Sequence, residues 1–119
     1  MLKLIIWCSI ALVLASVPTY AKDGIASWYG NKETGRLMAN GEKFNKHALI
    51  AAHRTLPLGT TVKITNLKNN RSVIVKIKDR GPYVAHRDID LSEYAANIIC
   101  MKHDGVEKVK IIVLSLGKD

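Results

Sequence analysis

The chain has 119 residues, with 18 Lys and Arg against 10 Asp and Glu for a formal charge of +8, and 48% of its residues are hydrophobic. That length holds one small domain with a modest core and excludes a second folding unit; no low-complexity linker or internal repeat divides it. The positive charge suits an anionic polymer, but much of it reads as ordinary solvated surface, because Lys63, Lys76, Lys78, Lys108 and Lys110 fall on the outward parity of expected strands.

Residues 1–21 look like a secretory signal. Lys3 is the basic start, Leu4 to Leu14 is apolar apart from Ser9, and Thr19-Tyr20-Ala21 offers small residues for cleavage. Cleavage is expected after Ala21, with Ala15 the second choice, leaving Lys22 to Asp119 with 17 basic and 10 acidic residues, a charge of +7. The apolar run is short for a membrane span, so no stable anchor is expected after cleavage, although an uncleaved anchor stays open. An exported basic chain meets envelope polyanions, in the periplasm or outside the cell, rather than nucleic acid. Cys8 leaves with the leader and lacks a lipoprotein context, so Cys100 stands alone and no internal disulfide forms. A monomer is expected, with a Cys100-linked dimer as the alternative.

The first strand expected is Ile25 to Tyr29. It ends on Trp28 and Tyr29, which point to opposite faces, so that one can pack inside while the other offers its ring to a sugar. A long loop, Gly30 to His47, carries the Asn40-Gly41 turn and Glu42; strands Leu49 to His53 and Thr61 to Thr65 follow. Asn69-Asn70 tolerates the left-handed conformations of a tight hairpin between Asn66 and Arg71. In the strand Ser72 to Asp79, Val73, Val75 and Ile77 share one parity, and Asp79 falls on that apolar parity just before Arg80-Gly81-Pro82 stops the strand. A core-facing Asp is partly desolvated, which disfavours its charged form and suits a proton donor; pairing with Arg80 or capping the turn is the ordinary alternative. After the loop Gly81 to Asp88, a helix starts near Asp90 to Ser92, with Leu91, Tyr94, Ala95 and Ile98 on one face. A last strand, Lys108 to Val113, completes a mainly β domain.

Glu42, His53 and Asp79 form a carboxylate, imidazole and carboxylate cluster if the strand ends meet. Such a set can protonate a leaving oxygen and assist a nucleophile, the two requirements of glycosidic cleavage. Taken singly, His53 serves equally as a hydrogen-bonded structural histidine and Glu42 as a solvated loop residue. No metal is expected, since His47, His53, His86 and His103 match no compact ligand spacing and no Cys pair supports one. No cofactor is expected either.

The motifs Ala26-Ser27-Trp28-Tyr29-Gly30, Ala39-Asn40-Gly41-Glu42, Ala51-Ala52-His53 with Thr55-Leu56-Pro57, Gly59-Thr60, Asp79-Arg80-Gly81-Pro82 and Asp88-Ile89-Asp90-Leu91-Ser92 occur in one order. In that order the chain from residue 22 to 119 resembles the double-psi β-barrel domain of RlpA-like proteins. The resemblance implies a six-stranded barrel with one or two short helices and a groove for an extended glycan. It implies a lytic transglycosylase that cuts the bond between N-acetylmuramic acid and N-acetylglucosamine in peptidoglycan strands, including peptide-stripped ones, and closes a 1,6-anhydro ring. By motif, Asp79, Glu42 and His53 carry over as catalytic residues, with Asp79 the general acid. Trp28, Tyr29, Asn40 and Arg80 are the substrate-binding candidates.

Two departures stand out against the family pattern. Leu37-Met38 replaces a Lys-Thr pair before Ala39, removing a hydroxyl near the groove, and Cys100 occupies a position after the helix where Gly is usual. The competing reading is a non-catalytic, expansin-like module that binds wall glycan; an exported effector acting on a protein target is a third.

Overall fold

The computed structural model describes residues 20–30 and 33–118. Six strands close into a barrel: β1 (Tyr20–Tyr29), β2 (Ile50–His53), β3 (Thr61–Asn66), β4 (Ser72–Asp79), β5 (Ile89–Ser92) and β6 (Glu107–Ser115), in the order β1-β5-β2-β4-β3-β6. The β1–β5 and β2–β4 pairs are parallel and the rest antiparallel. Parallel neighbours cannot be joined by a tight hairpin, so the chain needs long crossovers, and these carry the loops that build the site. The mainly β double-psi barrel expected from the sequence is the architecture observed. Of the expected leader, residues 1–19 lie outside the described residues, while Tyr20 and Ala21 pair with Val113 and Ile112 in the barrel wall.

The β4 strand matches its expected bounds, and its alternation is explicit: Val73, Val75 and Ile77 are buried while Ile74 and Lys76 are exposed. Together with Val62, Ile64, Ile89, Leu91, Val109 and Ile111 they fill the barrel, and Ala95, Ala96, Ile99 and Met101 belong to the same buried cluster. Asn70 takes the left-handed conformation that the hairpin requires, with φ of 63°.

One element departs from the pattern of its sequence. The segment Ile89–Ser92 is a strand, with Ile89 and Leu91 in the core, and only Ser92 caps the helix α1 (Glu93–Ile98) through its Oγ, which accepts from Ala95 N at 3.3 Å. Leu91 and Ala95 are four apart and so fit a helical face, but pairing with both β1 and β2 holds Leu91 extended. Tyr94, expected on the buried face, is 46% exposed, and Ala95 and Ala96 are buried instead. After the helix, Cys100 itself adopts φ of 56°, where a side chain costs about 1–2 kcal/mol relative to Gly. The left-handed stop is therefore kept and strained, not rearranged.

Candidate active site

The site begins with an irregularity. Ala51 pairs with Ile77, both in the core, but the register shifts between Ala51 and Ala52, so that Ala52 pairs with Asp79. Asp79 thereby leaves the core-facing row that its parity predicted. On the other side Ala52 pairs with Asp90 in β5, and Asp90 pairs with Ser27 in β1. Four residues from four adjacent strands thus lie side by side: Asp79, Ala52, Asp90 and Ser27. Their neighbours Ala51, Ile89 and Ala26 are in the barrel core, so by alternation Ala52, Asp90 and Ser27 face the opposite side of the sheet. At a strand spacing of 4.7–4.9 Å the two aspartate Cα atoms stand about 10 Å apart, with only the methyl group of Ala52 between them.

Over this row lies the loop that follows β1. Met38, Phe44 and Ile50 make a small buried cluster of their own, and Tyr29 packs on it with its ring stacked against Phe44 at 4.3 Å between centroids. The loop is tied down by Asp79, whose Oδ1 accepts from Ala39 N and from Arg80 N, both at 2.8 Å, and by the Asn40 N bond to Lys78 O at 3.2 Å. The result is a cleft of about 290 Å³ lined by Tyr29, Glu33, Asp79, Arg80, Tyr83 and Asp90, among others, with Ala52 in its wall.

The carboxyl of Asp90 is pushed up, chiefly by burial, against the lowering effects of the Ser27 hydroxyl and the Arg87 charge; Glu33 and Asp79 add smaller upward contributions. Ser27 is itself buried and donates its hydroxyl to Asp90 Oδ1. Burial also raises the Tyr29 phenol, with Asp79, Asp90 and Glu33 adding to it, so it stays a neutral donor. Its hydroxyl is buried and has no hydrogen-bond partner among the described residues.

Of the residues expected in the site, the cleft contains Asp79, Tyr29 and Arg80. Arg80 also braces the fold, since its Nη1 donates to the carbonyls of His53 and Leu56 at 3.1 and 2.6 Å. Glu42 is exposed and bonds Lys78 at 3.0 Å, which together with Asn40 holds its carboxyl below the usual range. Asn40 accepts from Glu42 N at 3.0 Å and so shapes the turn. His53 lines a separate depression of about 190 Å³ beside Arg54 and Asp88. Its Nδ1 accepts from Thr55 N and Leu56 N, both at 3.1 Å, and burial, with the Arg54 charge, pushes its pKa down. Trp28 is elsewhere again: Nε1 donates to Lys102 O at 3.2 Å, and Lys102 Nζ stands 5.7 Å from its ring centroid.

Asp90, Ser27 and Glu33 were not among the expected site residues. For Asp90 a signal existed, since Ile89-Asp90-Leu91-Ser92 alternates apolar and polar as a half-buried strand does; Ser27 is located only by its pairing with Asp90 across β1 and β5. Glu33 carries no such pattern. The Leu37-Met38 departure divides in two: Leu37 is 72% exposed at the cleft, whereas Met38 is buried in the cluster under the loop.

A model of the lytic transglycolase family of double-psi β-barrels matches residues 21–111. The endolytic peptidoglycan transglycosylase RlpA of Campylobacter jejuni is 52% identical over 95 residues, covering 80% of this chain and 34% of that protein. The protein of the same name from Rickettsia felis is 48% identical over 99 residues, covering 81% and 43%. The chain thus spans less than half the length of these relatives. Among solved structures, a papain inhibitor from Streptomyces superposes with a TM-score of 0.60 at 22% identity, covering 77% of this chain and 92% of that one. An expansin of Clavibacter michiganensis superposes with 0.64 at 16% identity, covering 84% and 53%. At those identities the likeness concerns the fold alone.

Proposed function

The chain belongs to the lytic transglycolase family of double-psi β-barrels, and from that premise we propose that its cleft cleaves the bond between N-acetylmuramic acid and N-acetylglucosamine in peptidoglycan glycan strands, leaving 1,6-anhydro ends. The observation that carries this reading is the pair of aspartates, Asp79 and Asp90, flanking Ala52 on one wall of an open cleft. Transglycosylation needs a proton for the departing oxygen and an acceptor for the proton of the attacking C6 hydroxyl, and carboxyl groups on one wall supply both. Tyr29, Arg36 and Arg87 add donors to the same cleft for sugar hydroxyls and the lactyl carboxylate.

Glu42 and His53 take supporting parts in this reading. Glu42 holds the loop against β4 through Lys78, and His53 fixes the turn after β2, whose carbonyls Arg80 grips from the cleft side. The chain is exported after removal of residues 1–21 and works in the cell envelope, where its positive charge favours the anionic wall. Among the described residues no helix is long and apolar enough to cross a membrane.

The test is incubation of the chain from Lys22 with intact peptidoglycan and with amidase-stripped strands, beside Asp79→Asn, with mass spectrometry of the soluble products. Anhydromuramoyl products from the unmodified protein and none from the variant are expected. Binding without any product on either substrate would replace this reading with the non-catalytic, expansin-like module.

A further inference from the structure

We propose that Asp90, oriented by Ser27, is the residue that delivers and recovers the proton, while Asp79 serves as the fixed negative charge facing it across Ala52. The proposal rests on the transglycosylase reading and divides the chemistry between the two carboxylates.

The hydrogen bonding of the two aspartates differs in kind. Asp79 Oδ1 is engaged by two backbone N–H groups, Ala39 and Arg80, so its position is set by the loop and the strand end. Asp90 takes a single side-chain hydroxyl, from buried Ser27, on Oδ1. Among the described residues no hydrogen bond engages Oδ2, and Asp90 lines the cleft, so Oδ2 is the oxygen assigned the proton. Burial favours that proton, and the groups facing Asp90 from the packed elements are Ser27 and Tyr29 on β1, Asp79 at the end of β4, Arg87 on the 81–88 loop, and Glu33 on the loop after β1. A protonated carboxyl beside a fixed carboxylate is the arrangement general acid catalysis of glycosidic cleavage requires.

The step balances without water or a co-reactant. The Asp90 carboxylic acid gives its proton to the glycosidic oxygen as the muramoyl C1–O bond breaks, and that bond's electron pair stays on the departing oxygen, which leaves as the C4 hydroxyl of the next sugar. Asp79 stabilises the positive charge that develops at C1. The muramoyl C6 hydroxyl oxygen then bonds to C1, and its proton passes to the Asp90 carboxylate, restoring the acid.

The experiment compares the unmodified protein with Asp90→Asn, Asp79→Asn and Ser27→Ala on amidase-stripped strands. It follows product release across pH, glycan pull-down, circular dichroism, and carboxyl carbon NMR titration of the aspartates. Asp90→Asn is expected to lose at least about a hundredfold in turnover, as removal of a general acid does, while keeping its fold and its glycan binding. Removing the Ser27 hydroxyl deletes a bond that favours the carboxylate, so the alkaline limb of the Ser27→Ala profile moves to higher pH. In Asp79→Asn the Asp90 resonance titrates lower, since a like charge is gone. Product release by Asp90→Asn within about tenfold of the unmodified protein, or an unmoved alkaline limb in Ser27→Ala, overturns the proposal and leaves the transglycosylase reading intact. If Asp90→Asn does not fold, the Ser27→Ala limb decides alone. Absence of product from the unmodified protein overturns both.

Discussion

The inside of the barrel and the roofed patch on its outer wall are made by the same strands. Ala26, Ala51, Ile89 and Leu91 look inward and sit in one apolar cluster; Ser27, Ala52 and Asp90, each next in sequence to one of them, look outward and carry the polar row. The interior is aliphatic and shared by all six strands, whereas the roof rests on three buried side chains, Met38, Phe44 and Ile50, with Tyr29 and Ala48 against them. The difference shows how so small a domain keeps the Asp90 carboxyl desolvated without weakening its core: alternation assigns one face of each strand to stability and the other to chemistry. Stability and activity are therefore expected to separate by parity.

The largest effect on stability is expected inside. Leu91 is fully buried in the barrel cluster, so Leu91→Ala leaves a cavity and should cost about 4 kcal/mol, read as a lower urea midpoint with an unchanged slope. Phe44→Ala removes the largest side chain of the roof cluster. Because the loop can open without unfolding the barrel, the global loss should be smaller, about 2–3 kcal/mol, while product release falls at least as far as in Leu91→Ala below its unfolding midpoint. Amide exchange should show the contrast directly, with Phe44→Ala deprotecting residues 36–44 and sparing β3 and β6. Equal deprotection of barrel and loop would mean that roof and interior are one cooperative unit.

Much of this division could be read from the chain. The β4 bounds, the buried parity of Val73, Val75 and Ile77, the Asn70 turn and the closing strand near residue 108 all followed from alternation and turn chemistry. What did not follow were the features that depend on neighbours distant in sequence. The register shift at Ala51/Ala52 that turns Asp79 into the cleft is a property of two paired strands, and Ile89–Ser92 is extended because β1 and β2 lie on either side of it. Likewise Trp28 and His53 are candidates by residue type, yet each lines a depression other than the one that holds the two aspartates.

A smaller effect is expected where the two regions are joined. Ser92 accepts from Ala95 N and donates its hydroxyl to Ala48 O, so it caps the helix and anchors the end of the roof loop with one side chain. Ser92→Ala should cost about 1–2 kcal/mol, and Ser92→Thr less if the methyl group is accommodated. Exchange at Ala48 and Ala95 together, with β4 unaffected, is the signature that the residue couples roof to barrel.

The smallest effect is a pH dependence that only the outer wall can produce. Because burial raises the Asp90 carboxyl, the folded protein holds a proton that the unfolded chain releases near the ordinary aspartate value of about 3.9. Between that value and the raised one the native state binds more protons than the unfolded state, so this contribution to stability is present in full below the window and is lost as pH rises through it. Glu42 has the opposite sign, because its bond to Lys78 lowers it, but it is fully exposed and its pair is screened. Unfolding midpoints measured across this range should therefore decline with pH more steeply in the unmodified protein than in Asp90→Asn, which cannot titrate there. If the two curves run parallel, the proton on Asp90 is not held by the fold, and the outer wall carries no store of acid for the cleft to use.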